Sequence, residues 1–148
     1  LSKEPVLVDA KDQILGRLAS FAAKHAIDGD EVIVLNAEKA IISGRRRNII
    51  AEAKRRLQTR TLGTQTHAPV HQRRADLYVR RVVRGMLPWK KAKGRDAFHR
   101  VQVFIGVPEE FSGKTSVKIP GADASKLRSP YITVEDLARE IGRAVKYE

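Results

Sequence analysis

The chain has no cysteine and only one tryptophan and one methionine in 148 residues. Without cysteine there can be no disulfide, no thiolate chemistry and no cysteine zinc site, and a reducing compartment fits. No apolar run approaches the ~18 residues that a membrane-spanning helix needs. The N-terminus shows neither the charged nor the apolar region of a signal peptide. No membrane partner is expected, and a cytoplasmic location is. The most informative scarcity is local. Between Arg45 and Arg100 there are three acids, Glu52, Asp76 and Asp96, against seventeen Lys and Arg, a net +14. The remainder has twelve bases and fourteen acids, a net −2. A solvated face mixes signs, so a segment that holds the whole excess points to a polyanionic partner. Three acids give little support to acid–base catalysis, and no serine–histidine or paired-carboxylate arrangement stands out.

Other possible sites fall away. Gly113-Lys114-Thr115 resembles the end of a phosphate-binding loop, but the glycine required five positions earlier is Pro108, and Pro120-Gly121 follows where a helix should. His67 and His71 have helical metal spacing, but Pro69 lies between them and no carboxylate or cysteine completes a set. His25 and His99 read as boundary residues of helices. No enzyme, cofactor, metal or small-molecule substrate is indicated.

The length fits one domain, 1–148, with irregular segments at 59–74 and 108–130. Val6–Ala10 reads as a buried strand. Asp12 is placed to cap a helix over about Gln13–Ile27, with Leu15, Leu18, Ala22, Ala26 and Ile27 as its stripe and Ala19 and Ala23 allowing close approach to a sheet. Gly29 can take the left-handed conformation that closes it. Val32–Ala37 is apolar without alternation, as a strand covered on both faces should be. Strand, helix, strand is a βαβ unit, so the first two strands are expected to be parallel. A helix beginning at about Arg45 repeats Ile49, Ala53 and Leu57. Arginines in its first turn oppose the helix dipole, a conflict that a phosphate would remove. Tyr131–Val134 reads as a last strand, and Thr133 with Asp136 resembles a capping box. The final helix carries Val134, Leu137, Ala138, Ile141 and Val145 on one face.

The central stretch runs from Arg80 to Gly106. Val79, Val82, Val83 and Met86 predict a helix with one apolar face, which Pro88 stops. A basic loop, Trp89–Arg95, is expected next, then a strand over Val101–Ile105. The RNA-binding candidates are Arg45, Arg46, Arg47, Lys54, Arg55, Arg56, Arg60, Arg73, Arg74, Arg80, Arg81, Arg84, Gly85, Trp89, Lys90, Lys91, Lys93, Arg95 and Arg100. Cations bind phosphates with counterion release, and an exposed aromatic can stack on unpaired bases. Trp89 could do that or be a core residue; Phe98 reads as core. Gly85 weakens its helix. It either leaves room for a sugar–phosphate backbone, or loosens the chain ahead of Pro88 or packs on a neighbour.

Several blocks carry a resemblance: Val8-Asp9-Ala10, Leu15-Gly16-Arg17-Leu18-Ala19-Ser20, Val34-Leu35-Asn36-Ala37-Glu38, Ser43-Gly44-Arg45, and above all Val83-Arg84-Gly85-Met86-Leu87-Pro88 with Gly94-Arg95 and Val101–Gly106. In that order, over about Val6 to Gly106, the chain resembles the thirteenth large-subunit ribosomal protein family. Trp89-Lys90-Lys91 after Pro88, with a C-terminal strand and helix, is similar to archaeal and eukaryotic members more than to bacterial ones. The basic charge does not fit an extreme halophile. The resemblance implies a three-layer α/β/α fold around a small, mainly parallel four-stranded sheet. It implies a structural protein bound to large-subunit ribosomal RNA among neighbouring ribosomal proteins, supporting subunit assembly, with no catalysis. A DNA-binding nucleoid protein and an RNA-modifying enzyme are the alternatives. The second would need a cofactor-binding loop, and none is found.

Overall fold

The structure, a computed structural model, describes residues 4–142; the place expected for Val145 lies outside them. Strand β1 (Val6–Asp9) leads to helix α1 (Leu15–Asp28) and strand β2 (Val32–Leu35). Strand β3 (Ile41–Ser43), helix α2 (Arg46–Gln58), helix α3 (Ala75–Gly85), helix α4 (Ala92–His99) and strand β4 (Val101–Val103) follow. Strand β5 (Tyr131–Thr133) and helix α5 (Val134–Ile141) end the described chain.

The βαβ unit forms as its apolar pattern requires. β1 and β2 are parallel with Val6 beside Val32, and β4 adds to the far side of β2, also parallel, with Val101 beside Val32. Gly29 closes α1 at φ 99°, and its N–H donates to the Ala26 carbonyl. The lack of alternation in β2 has its expected cause. Val32 and Val34 meet the main core, whereas Ile33 and Leu35 lie on the other face with Leu7.

That main core is one-sided. Leu15, Leu18, Ala19 and Ala22 of α1, Val79 and Val83 of α3 and Ala97 of α4 pack with Val8, Val34 and Val101. Full burial of each valine contributes roughly 1.5–3 kcal/mol. On the opposite face the cover is Phe104 and Phe111, the latter from a 3₁₀ turn at Glu109–Phe111. Here the third layer of the expected α/β/α arrangement is a pair of aromatic rings rather than helices.

The four-stranded sheet is corrected. Three parallel strands, ordered β1-β2-β4, form one sheet, while β3 and β5 pair antiparallel as a second. The cause lies at Asn36, whose left-handed φ of 54° turns the chain into a 3₁₀ turn at Ala37–Lys39 and away from the first sheet. This also ends β2 two residues before the expected Ala37. The Ile41 N–H then donates to the Gln13 carbonyl (2.8 Å), which ties β3 to the approach of α1. Gln13 and Ile14 are thereby taken from the helix. Asp12 is left-handed (φ 59°), and α1 starts at Leu15 with no side-chain cap, so the expected Asp12 cap is not formed. Thr133 does cap α5, accepting from the Asp136 N–H at 3.2 Å. α5 and α2 enclose a second apolar cluster, with Ile132, Leu137 and Ile141 against half-buried Ile49, Ile50, Ala53 and Leu57.

The two irregular segments differ. The 108–130 segment is stitched to the fold: the Val117 N–H donates to the Leu7 carbonyl (2.8 Å), the Ile14 N–H donates to the Ala122 carbonyl (2.7 Å), and Ala122 is fully buried. The 59–74 segment is open, with Leu62 89% and Val70 74% exposed.

Candidate nucleic-acid interface

The centre of the basic third is the corner between α3 and α4. Ala75, Val79 and Val83 are fully buried, which fixes the rotation of α3 about its axis. The expected fourth member of that face, Met86, is 41% exposed, and Leu87 takes the core instead at 6%. α3 ends at Gly85, Met86 is its C-cap, and in the turn that follows it is Leu87 that faces the core. Ser20 Oγ approaches the Met86 sulfur at 3.3 Å on the surface.

The expected loop Trp89–Arg95 is largely helix. Of these residues only Trp89–Lys91 lie outside the helices; Lys91 is the N-cap of α4, and Lys93 and Arg95 lie in its first turns. The Lys91 N–H donates to the Pro88 carbonyl at 3.0 Å. Gly94 is buried, and a Cβ there would collide with that same carbonyl oxygen. The glycine is what lets α4 begin flush against Pro88. Four cations and a glycine within 90–95 hide the helix from a periodicity argument, because its stabilising contact is this close packing rather than an apolar stripe.

Two arginines of α3 rest on aromatic rings. The Arg84 guanidinium lies 3.9 Å from the Trp89 ring centroid, and that of Arg80 lies 4.4 Å from the Phe98 centroid. Trp89 and Phe98 meet at right angles, 5.2 Å between centroids. All four side chains are half-buried. The Nε atoms of Arg80 and Arg84 are buried and have no hydrogen-bond partner. Arg81, Lys90, Lys91, Lys93 and Arg95 are exposed. Gly85 is exposed too, with nothing within 4 Å of where a Cβ would be, so no packing contact requires the glycine.

The cations of α2 are placed differently. Arg46 Nη2 donates to Glu140 Oε1 at 2.9 Å and Nη1 lies 3.6 Å from Asp136, both carboxylates on α5. Lys54 reaches Glu140 at 3.9 Å, and Arg56 pairs with Glu52 one turn away. The dipole conflict at the start of α2 is thus partly relieved from within the protein. Arg45, Arg47, Arg55 and Arg60 are exposed and have no ion pair among the described residues. Arg74 pairs with Asp76 at 2.9 Å, and Arg73 lies against Gly142. Arg100 does structural work, donating to the Ala26 carbonyl at 3.2 Å near the end of α1.

Between the two helices, burial pushes the Tyr78 hydroxyl above the ordinary phenol range; Arg56 opposes this shift and Glu52 adds to it. No cluster of three or more potential metal ligands occurs among the described residues, and His71 is engaged with the Thr59 carbonyl at 2.8 Å. No described helix is long and apolar enough to cross a membrane. Phe98 was legible as core but not as the rest for Arg80. The hint was its interval: Phe98 lies nine residues after Trp89, beyond a glycine that brings α4 back against the corner.

The family model for ribosomal protein L13 matches residues 3–110, which include the α3–α4 corner. A large ribosomal subunit protein uL13 from Methanococcoides burtonii is 40% identical over 137 residues, covering 92% of this chain and 96% of that protein. Its namesake from Saccharolobus solfataricus is 38% identical over 143 residues, with 96% and 95% covered. The Methanopyrus kandleri protein of the same name is 41% identical over 143 residues, with 95% and 88% covered. With matches over nearly the full length of archaeal relatives, and the family model over most of the chain, the chain belongs to the ribosomal protein L13 family.

Proposed function

We propose that this chain is a structural constituent of the large ribosomal subunit, working in the cytoplasm as one domain. It holds large-subunit ribosomal RNA through its basic third and supports subunit assembly beside neighbouring ribosomal proteins. It is not an enzyme. The observation that carries the RNA reading is the α3–α4 corner, where Arg80, Arg81, Arg84, Lys90, Lys91, Lys93 and Arg95 have no ion pair among the described residues. The buried face of α3 and the rings of Phe98 and Trp89 hold Arg80 and Arg84 in place. A cluster of cations without counter-charges self-repels, and phosphates supply the missing charge. Arg45, Arg47, Arg55 and Arg60 extend the contact surface. Arg46, Lys54, Arg56 and Arg74 reach it only by giving up a carboxylate, and Arg100 contributes chiefly to the fold.

Filter binding of the full chain to large-subunit ribosomal RNA, as a function of salt, tests this. If about six phosphates are neutralised, log affinity falls against log salt with a slope of about −4 to −5. A slope shallower than about −2, or binding indifferent to ribonuclease in a lysate pull-down, would overturn it.

A further inference from the structure

We infer that Trp89 is a positioning residue rather than a base-stacking platform: with Phe98 it holds Arg80 and Arg84 as a fixed two-cation fork for neighbouring phosphates of one RNA strand. The inference rests on the RNA-binding reading above and adds its mode. One face of the indole is already occupied, because the Arg84 guanidinium sits 3.9 Å from its centroid. A base could stack there only by displacing a cation held by the ring's negative face. Phe98, at 89° to the indole, carries Arg80 in the same way at 4.4 Å. The four side chains therefore form a continuous cation–ring–ring–cation ladder.

The ladder limits what each arginine can offer. Both Nε atoms are buried without an acceptor, so the donors left for an outside partner are at the Nη ends. Neither guanidinium is claimed by a carboxylate among the described residues, unlike those of Arg46, Arg56 and Arg74. Arg80 and Arg84 are four residues apart on α3, about 6 Å along the axis, a step comparable to that between successive phosphates. The core burial of Val79 and Val83 fixes the face that presents them. Gly85 adds no side chain to that end of the helix. An unrestrained arginine loses much rotamer freedom on gripping a phosphate; here packing has already removed much of it.

The test is a double-mutant cycle on the full chain, with deproteinised large-subunit ribosomal RNA from an archaeal ribosome as probe. Trp89→Leu is expected to weaken binding about tenfold, and Trp89→Phe, which keeps a ring under Arg84, to restore most of it. Arg84→Ala with Trp89→Leu should bind no worse than Arg84→Ala alone, because the indole acts through the arginine. The single tryptophan gives a second readout that does not need the Leu variant to fold. RNA should quench the parent's fluorescence little, and quench the Arg84→Ala variant no less. Additive losses in the cycle, or strong quenching of the parent, would show that Trp89 stacks on a base and overturn the inference while leaving RNA binding intact. Absence of salt-steep binding by the parent would instead remove the RNA reading itself, and the fork with it.

Discussion

Helices α2 and α3 are both arginine-rich, yet their cations are in different states. α2 carries Arg46, Arg47, Lys54, Arg55 and Arg56 and has no fully buried residue; it lies half-buried against α5, whose Asp136 and Glu140 take up part of its charge. α3 carries Arg80, Arg81 and Arg84 and buries Ala75, Val79 and Val83; two of its arginines rest on rings and meet no carboxylate among the described residues. The density of positive charge along a chain thus does not locate the charge that is available to a partner. Availability depends on what the opposite face of the helix packs against, and for α2 that is an acidic helix.

The largest expected effect tests whether the α3–α4 corner depends on close packing. Gly94→Ala puts a Cβ into the Pro88 carbonyl and should cost about 3 kcal/mol or more, because a backbone atom must move. Thermal melting is the measurement, and a variant as stable as the parent would mean that the corner is looser than its geometry. Next comes the difference between the helices. Arg84→Ala should cost roughly 1.5–3 kcal/mol of RNA affinity if its charged hydrogen bonds go to phosphate. Arg46→Ala should cost well under 1 kcal/mol of affinity, and exposed pairs such as Arg46–Glu140 hold little stability either. Equal losses in filter binding would erase the distinction between α2 and α3. Gly85→Ala should leave the isolated fold as stable as the parent, or more stable by up to about 1 kcal/mol, since its Cβ meets open space. It should nevertheless weaken RNA binding if a sugar–phosphate backbone passes there. Normal binding would return the glycine to a role in the turn.

The smallest effect concerns Tyr78, which packs against both apolar clusters between the two helices. Its folded pKa lies above the unfolded value near 10. Its contribution is therefore fully present below about pH 10 and is lost as pH rises through the folded pKa. Melting temperatures of the parent should fall with pH in that window, and Tyr78→Phe should flatten the fall. An identical fall in both proteins would assign it to the lysines instead.

By itself, the amino-acid sequence determined whatever rests on neighbours along the chain. The βαβ unit, the left-handed stop at Gly29, the Thr133 cap, the apolar face of α3 and the gathering of positive charge between Arg45 and Arg100 all follow from spacing and local backbone preference. Tertiary structure decided what depends on distance in space. The turn at Asn36 sent β3 to β5 and split the expected sheet. Gln13 and Ile14 were claimed by β3 and by the Ala122–Asp123 segment, so α1 starts late. Leu87 replaced Met86 in the core where the chain turns out of α3 after Gly85. Arg46 found Glu140, 94 residues away, while Arg84 found Trp89 five residues away across a turn. Coulomb attraction and ring contact act over a few ångströms of space and are indifferent to separation along the chain. Only the packed fold could decide which cations face a carboxylate and which face the solvent that RNA would displace.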